Sequence, residues 1–333
     1  MNLDLFNGVK DITIRMPNWV GDNVMVLPSF YKLKEVLRGK NIKIFCPANI
    51  FPLWKLASPD DEIITYKNTR EAILRSKDKN LKSDLMFVLP NSFSSALAAY
   101  LTKSRARVGY GCNFRSFLLT HVLKKEKNFH QVDEYYYLIF QQKPKEVLVP
   151  CLKLEIEKDL DNNFVKSLGI NKSKLSNCIA IAPGGAWGKA KRWFNEYYID
   201  LIMKLLGLVE MIFIIGSKEE VEVYKDLESE NRVKLICGSL SEIIYVLSMC
   251  SLAVGNDSGL MHLASAIGCK SVIIYGATDW RRTYPRDGRS YVFSSEMPCQ
   301  PCWKRICPRS DYQCLKLVKP EYVWKLCLNL LKR

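Results

Sequence analysis

The sequence predicts an α/β protein built from two Rossmann-like halves in tandem, each around a parallel sheet. Three observations carry this. Short apolar runs alternate with helix-patterned segments along nearly the whole chain. Most of these runs end in glycine or a small polar residue, as buried parallel strands do. The alternation breaks once, near 141–177, where "QQKPKEVLVPCLKLEIEKDLDNNF" is charged and carries two prolines. That stretch reads as a linker.

In the first half, "DITIRM" (11–16), "IKIFC" (42–46) and "DLMFVL" (84–89) read as strands, with helices over 23–37 and 92–102. In the second half, "CIAIAPGG" (178–185), "VEMIFIIGS" (209–217), "RVKLICGS" (232–239), "SLAVGNDSG" (251–259) and "KSVIIYGAT" (270–278) read as buried strands separated by helices. The expected division is 1–160, then 161–318 including a cysteine-rich loop at 299–314, then a closing helix over 319–333. Two such halves imply a central cleft, with ligands at the carboxyl ends of the strands.

A chain of 333 residues with 48% hydrophobic residues has room for two cores. The most apolar window, 199–216, holds Asp200, Lys204 and Glu210, so it reads as a helix and a strand rather than a membrane span. The start "MNLDLFNGVKDITIRM" lacks the pattern of a secretion signal, and the expected location is the cytoplasm. The net charge of +15 favours anionic partners such as nucleic acid, a phosphorylated ligand or an anionic membrane face. A lysine-rich solvated surface explains it equally well.

The strand ends carry the candidate chemistry. In "AVGNDSGLMHLASAIG" (253–268), Asn256 or Asp257 can cap the next helix, while Ser258 and Gly259 leave its first N–H groups open to an anion. Plain capping and a phosphate site fit this pattern equally. His262 lies one turn further in, where a satisfied core histidine is the commoner case. In "APGGAWGKAKRW" (182–193), Gly184 and Gly185 permit close approach of a ligand, and Lys189, Lys191 and Arg192 supply charge. A glycine turn beside exposed lysines is the bland reading. In "IRMPNWVGDNVMVLPSF" (14–30), Asp22 is either a helix cap or a general base.

Of twelve cysteines, four cluster as Cys299, Cys302, Cys307 and Cys314, with spacing C-x2-C-x4-C-x6-C. Four thiols in so short a cytoplasmic stretch suit thiolate metal binding, zinc first. Four reduced thiols are the alternative.

"PNWVGDNVMVLPSF", "APGGAWGKAKRW", "GNDSGLMHLASAIG" and "PCQPCWKRICP…C", in this order, resemble the ADP-heptose:lipopolysaccharide heptosyltransferases of glycosyltransferase family 9. The four-cysteine segment narrows the likeness to the heptosyltransferase II branch. The resemblance implies a GT-B fold, two Rossmann-like domains facing a central cleft, with the last helix (319–333) crossing back to the first. It implies an inverting transfer of heptose from ADP-heptose to a phosphorylated lipid A-Kdo-heptose acceptor, at the inner face of the cytoplasmic membrane, with no cofactor needed for catalysis.

Carried over residue by residue, it makes Asp22 the base for the acceptor hydroxyl. Lys191, Ser258, Gly259, Gly184 and Gly185 meet the donor diphosphate, and Asp257 and His262 lie near the donor sugar. The nucleoside is expected near Ser239 and Glu242. Lys103, Arg105, Arg107, Arg115, Lys124, Lys125 and Lys127 are candidates for the acceptor and membrane face. Phe194 departs from the proline the family often has there, and Trp187 makes the phosphate loop bulkier.

Three other readings compete. One is a GT-B transferase with another sugar or acceptor. The second is a basic nucleic-acid-binding protein with a zinc clasp; the dispersed charge and the lack of a recognised binding motif argue for no nucleic-acid partner. The third is an inactive sugar-binding relative.

Overall fold

The computed structural model describes residues 3–126, 128–144, 147–152, 164, 168 and 177–332. Most of the expected linker lies outside these residues, as does Lys127. The chain divides into two compact units, residues 1–150 and 151–333. The expected boundary at 160 falls outside the described residues.

Unit 1 holds β1 (Asp11–Arg15), β2 (Asn41–Pro47), β3 (Glu62–Tyr66), β4 (Leu85–Val88), β5 (Ala106–Tyr110) and β6 (His121–Leu123). Its main helices are α1 (Val20–Val36), α2 (Phe51–Ala57), α3 (Thr69–Arg75), α4 (Phe93–Leu101) and α5 (Gln131–Phe140). The strands form one parallel sheet in the order β3-β2-β1-β4-β5-β6. Ile12 and Ile14 of β1 have no exposed surface, and neither do Leu85 to Val88. A strand buried on both faces needs this continuous apolar run.

Unit 2 holds β7 (Cys178–Ala182), β8 (Met211–Ile215), β9 (Val233–Ile236), β10 (Cys250–Asn256), β11 (Lys270–Tyr275) and β12 (Ser290–Ser294). Its helices are α6 (Asn195–Leu205), α7 (Lys218–Val221), α8 (Leu240–Met249), α9 (Gly259–Ile267), α10 (Trp280–Thr283), α11 (Gln313–Lys316) and α12 (Pro320–Leu331). The sheet is parallel, in the order β12-β11-β10-β7-β8-β9. Counted from β7, this repeats the order of unit 1. Both sheets are therefore doubly wound, and each reverses direction between its first and fourth strands. The rule for such sheets puts ligands at that reversal, outside the carboxyl ends of the strands. In unit 1 the reversal lies between β1 and β4; in unit 2 it lies between β7 and β10.

The last helix, α12, packs into the core of unit 2. Val323, Cys327 and Leu330 of α12 join Ile179, Leu201 and Val254 in one apolar core. The apolar spacing along "YVWKLCLNLL" buries one stripe, which explains this docking.

Candidate functional site

Each unit presents a cluster at its reversal point. In unit 1 the loop after β1 is fixed from below by Asn23, which is fully buried. Its amide donates to the carbonyls of Pro17 (2.9 Å) and Trp19 (2.7 Å), and its oxygen accepts from Trp54 Nε1 (2.8 Å). Three hydrogen bonds on one buried amide hold the loop in a single shape.

Asp22 sits in the first turn of α1 and is not its cap; Trp19 occupies that position. The early helical N–H groups favour a negative charge there. Tyr135 of α5 reaches across and donates from Oη to Asp22 Oδ1 at 3.1 Å. Burial raises the Tyr135 phenol well above its ordinary range, and the Asp22 carboxylate pushes the same way. The tyrosine therefore stays a donor. Trp19, 64% exposed, stands three residues before Asp22.

In unit 2 the cluster joins the loops after β7, β10 and β11. Lys191 Nζ lies 2.5 Å from Asp257 Oδ2, and Thr278 Oγ1 donates to the same oxygen at 2.6 Å. Asn256 does not cap α9 but locks the two loops together. Its amide donates to the carbonyls of Pro183 (2.6 Å) and Gly184 (3.1 Å), while its oxygen accepts from Trp193 N and Tyr198 Oη. Gly255 allows this closeness: a Cβ there would lie 2.7 Å from the Ala182 carbonyl oxygen.

The residue at the start of α9 is Ser258, whose side chain makes no cap hydrogen bond. Its buried hydroxyl has no hydrogen-bond partner among the described residues, and the same holds for His262 Nδ1. Uncapped helical N–H groups, an unsatisfied hydroxyl and a lysine are the groups that anion binding uses. His262 is neutral. Burial pushes its imidazole down to about 4, against the raising effect of Asp257 and with the lowering effect of Lys191. Thr278 also lines a cavity of about 440 Å³, with Trp280, Arg281, Glu296 and Gln300 on its wall.

Three of the expected groups have partners within the structure. Gly184 and Gly185 face a carboxylate. Gly185 N donates to Glu220 Oε1 at 2.8 Å, and Glu220 also pairs with Arg192. Gly185 N is thus occupied by a carboxylate that Arg192 neutralises, while Lys191 and the start of α9 carry no such partner from Glu220. Ser239 and Glu242 form the capping box of α8, each satisfying the other's backbone N–H. Arg115 belongs to no open basic face: it is fully buried and donates to the carbonyls of Pro90 and Tyr110. Lys103, Arg105 and Lys124 are exposed, Arg107 is half-buried, and Lys125 pairs with Glu134 at 2.8 Å.

The four cysteines line one small cavity of about 30 Å³, together with Ala190 and Ala277. Burial raises the Cys314 thiol to about 11, with Cys299, Cys307 and Cys302 adding to the shift. Among the described residues, no three potential ligands are arranged to hold a metal ion. The cysteine loop also braces the lysine loop. Ala190 N donates to the Arg305 carbonyl at 3.0 Å, and a Cβ at Gly188 would come within 2.5 Å of that oxygen.

Sequence reasoning missed Tyr135, Asn23, Thr278 and Glu220. Each acts on a partner distant in sequence or on a loop's backbone, and leaves no local pattern.

The profile of Glycosyltransferase family 9 (heptosyltransferase) matches residues 74–313. The chain is 28% identical over 330 residues to lipooligosaccharide heptosyltransferase 2 of Campylobacter jejuni subsp. jejuni serotype O:2, covering 96% of this chain and 98% of that protein. It is 27% identical over 304 residues to lipopolysaccharide heptosyltransferase 2 of Escherichia coli K12, covering 83% and 85%. The solved structure of E. coli ADP-heptose LPS heptosyltransferase II superposes with a TM-score of 0.81 at 24% identity, over 96% of this chain and 98% of that one.

Proposed function

The chain belongs to Glycosyltransferase family 9 (heptosyltransferase), and from that premise we propose that it moves a heptose from ADP-heptose onto the first heptose of a lipopolysaccharide inner core. The observation that supports this most directly is the Lys191–Asp257 pair beside the uncapped start of α9.

The departing group is ADP, so the site must take up negative charge as the glycosidic C–O bond breaks. Lys191 and the first N–H groups of α9, with Ser258 and Gly259, supply that stabilisation from fixed positions. Asp257 and Thr278 are polar groups suited to sugar hydroxyls, and the cavity beside Thr278 gives the heptose room. His262, neutral and buried, offers a hydrogen bond rather than a proton.

Asp22 accepts the proton of the acceptor hydroxyl while that oxygen bonds to the anomeric carbon. Attack from the face opposite ADP inverts the configuration. A positioned carboxylate base contributes on the order of 10²–10⁴-fold. Trp19 offers an exposed aromatic face to an acceptor sugar.

No step calls on a metal. Four thiols are the donor type and number of a structural zinc site, though their arrangement here is not that of a metal site. In that role the metal would gather Cys299, Cys302, Cys307 and Cys314 behind Ala190 and stiffen the loop that carries Lys191.

No helix among the described residues is long and apolar enough to cross a membrane. The reading places the enzyme at the inner face of the cytoplasmic membrane, where a lipid-linked acceptor is held. The test is ADP release from ADP-heptose with and without a heptosyl-Kdo-lipid A acceptor. Acceptor-dependent release is expected. No release, with ADP binding intact by calorimetry, would keep the fold and discard the heptosyl assignment.

A further inference from the structure

Unit 1 carries an aromatic surface that neither the fold nor the site explains. Phe114 is 94% exposed and Phe117 73% exposed. Phe93 and Val122 are also exposed, and the Phe93 and Phe117 rings lie 6.2 Å apart. Four large apolar side chains left in water along one loop and its neighbours are costly unless something covers them.

The loop is held rigidly in that pose. Arg115, between the two phenylalanines, is clamped by Tyr110, Pro90 and Ser95. Asn113 donates to the Asn91 carbonyl at 2.7 Å. Phe114 itself adopts φ +56°, a conformation that costs a bulky residue energy. Folding alone gains nothing from a strained phenylalanine facing solvent.

The charge along this stretch is one-sided. Between Asp84 and Glu126 the chain carries six basic residues, of which Lys103, Arg105 and Lys124 are exposed, while Arg115 is buried and Lys125 pairs with Glu134. Arg107 reaches the Leu118 carbonyl at 3.0 Å, next to Phe117, and Lys124 follows Val122 by two residues. Phe93 opens α4 just beyond β4, the strand beside β1, whose carboxyl end leads to Asp22.

We propose that this surface is a membrane-docking face: Phe114 and Phe117 enter the interface of an anionic bilayer while Arg107 and Lys124 meet its headgroups. Phenyl rings suit the apolar side of that boundary, and each basic residue near an anionic surface adds attraction. The occupant is a lipid surface rather than a protein, because exposed rings with Lys124 and Arg107 close by in the fold match acyl chains under anionic headgroups. The proposal rests on the reading that the acceptor is lipid-linked, and it gives the enzyme a way to stay where that acceptor lies.

The test is flotation of the full chain with vesicles of phosphatidylglycerol and phosphatidylethanolamine, against vesicles of phosphatidylcholine alone. Binding is expected to the anionic vesicles and to weaken in high salt. Phe114→Ser/Phe117→Ser is expected to lower the partition coefficient about tenfold or more. The double variant should keep its circular dichroism, its ADP affinity and its transfer to a deacylated, water-soluble acceptor. Equal flotation of variant and parent, or no flotation of the parent, would overturn the proposal. Vesicle binding needs no sugar donor. Flotation as expected with no heptosyl transfer would therefore sink the heptosyltransferase reading and leave the docking face standing.

Discussion

The Lys191 ammonium lies 2.5 Å from the Asp257 carboxylate, and both side chains are largely shielded from water. The pair joins the loop after β7 to the loop after β10 across the point where the sheet reverses. A buried ion pair is costly to break from one side, because the remaining charge stays in a poorly solvated place.

Lys191→Met should therefore do two separable things. It should destabilise the chain by roughly 3 kcal/mol, through the stranded Asp257, and raise the dissociation constant for ADP by about tenfold or more. Adding Asp257→Asn should restore much of the stability but none of the ADP affinity. Denaturant unfolding and calorimetry read the two effects independently. Unchanged ADP affinity in Lys191→Met would remove the lysine from the diphosphate site.

Asp22→Asn tests the base. The buried Asn23 clamp fixes the loop independently of Asp22, so the variant should fold normally and keep its ADP affinity. Transfer should fall on the order of 10²–10⁴-fold. Tyr135→Phe removes a hydrogen bond that favours the charged carboxylate. The acid limb of its kcat/KM profile should move to higher pH, with a smaller loss of rate. Full turnover in Asp22→Asn would assign the proton to another group.

Much of this was legible in the sequence. Apolar runs ending in glycine located the central strands, because a strand buried on both faces must be apolar throughout. Asp22, Lys191 and Asp257 stand where strands end, and the structure brings the last two together. The glycines and the capping residues were harder. Gly184 and Gly185 look open to a ligand until Glu220 arrives from α7, and nothing near position 184 announces it. Ser239 and Glu242 satisfy a capping box on their spacing alone, and the structure uses them so. Arg115 counted as surface charge because burial of an arginine depends on distant carbonyls.

The cysteine cluster predicts a coupling between metal content and donor binding. Protein purified without chelator should carry about one zinc per chain if four thiolates form one site. Cys302→Ser should lose that metal and bind ADP more weakly, because the thiol cavity lies against Ala190, next to Lys191. A metal-free, fully folded parent with four titratable thiols would end the zinc assignment. Metal loss with unchanged ADP affinity would end the coupling.

His262 gives the fold a pH dependence with a definite sign. Burial holds its imidazole at about 4 in the folded chain, against an ordinary value of 6.5. The unfolded chain therefore binds the extra proton first as pH falls. Stability from this residue is fully present above pH 6.5 and drains away between about 6.5 and 4, to the extent of roughly 3 kcal/mol. His262→Leu lacks the titrating group and should lose less stability over that window. The check is denaturant unfolding of both proteins at pH 7.5 and pH 5, compared as a difference so that other titrating groups cancel. Parallel losses in the two would mean that His262 takes up its proton without unfolding. The imidazole would then have a partner for its charged form in the folded site, with the Asp257 and Asp287 carboxylates, both of which favour that form, as candidates.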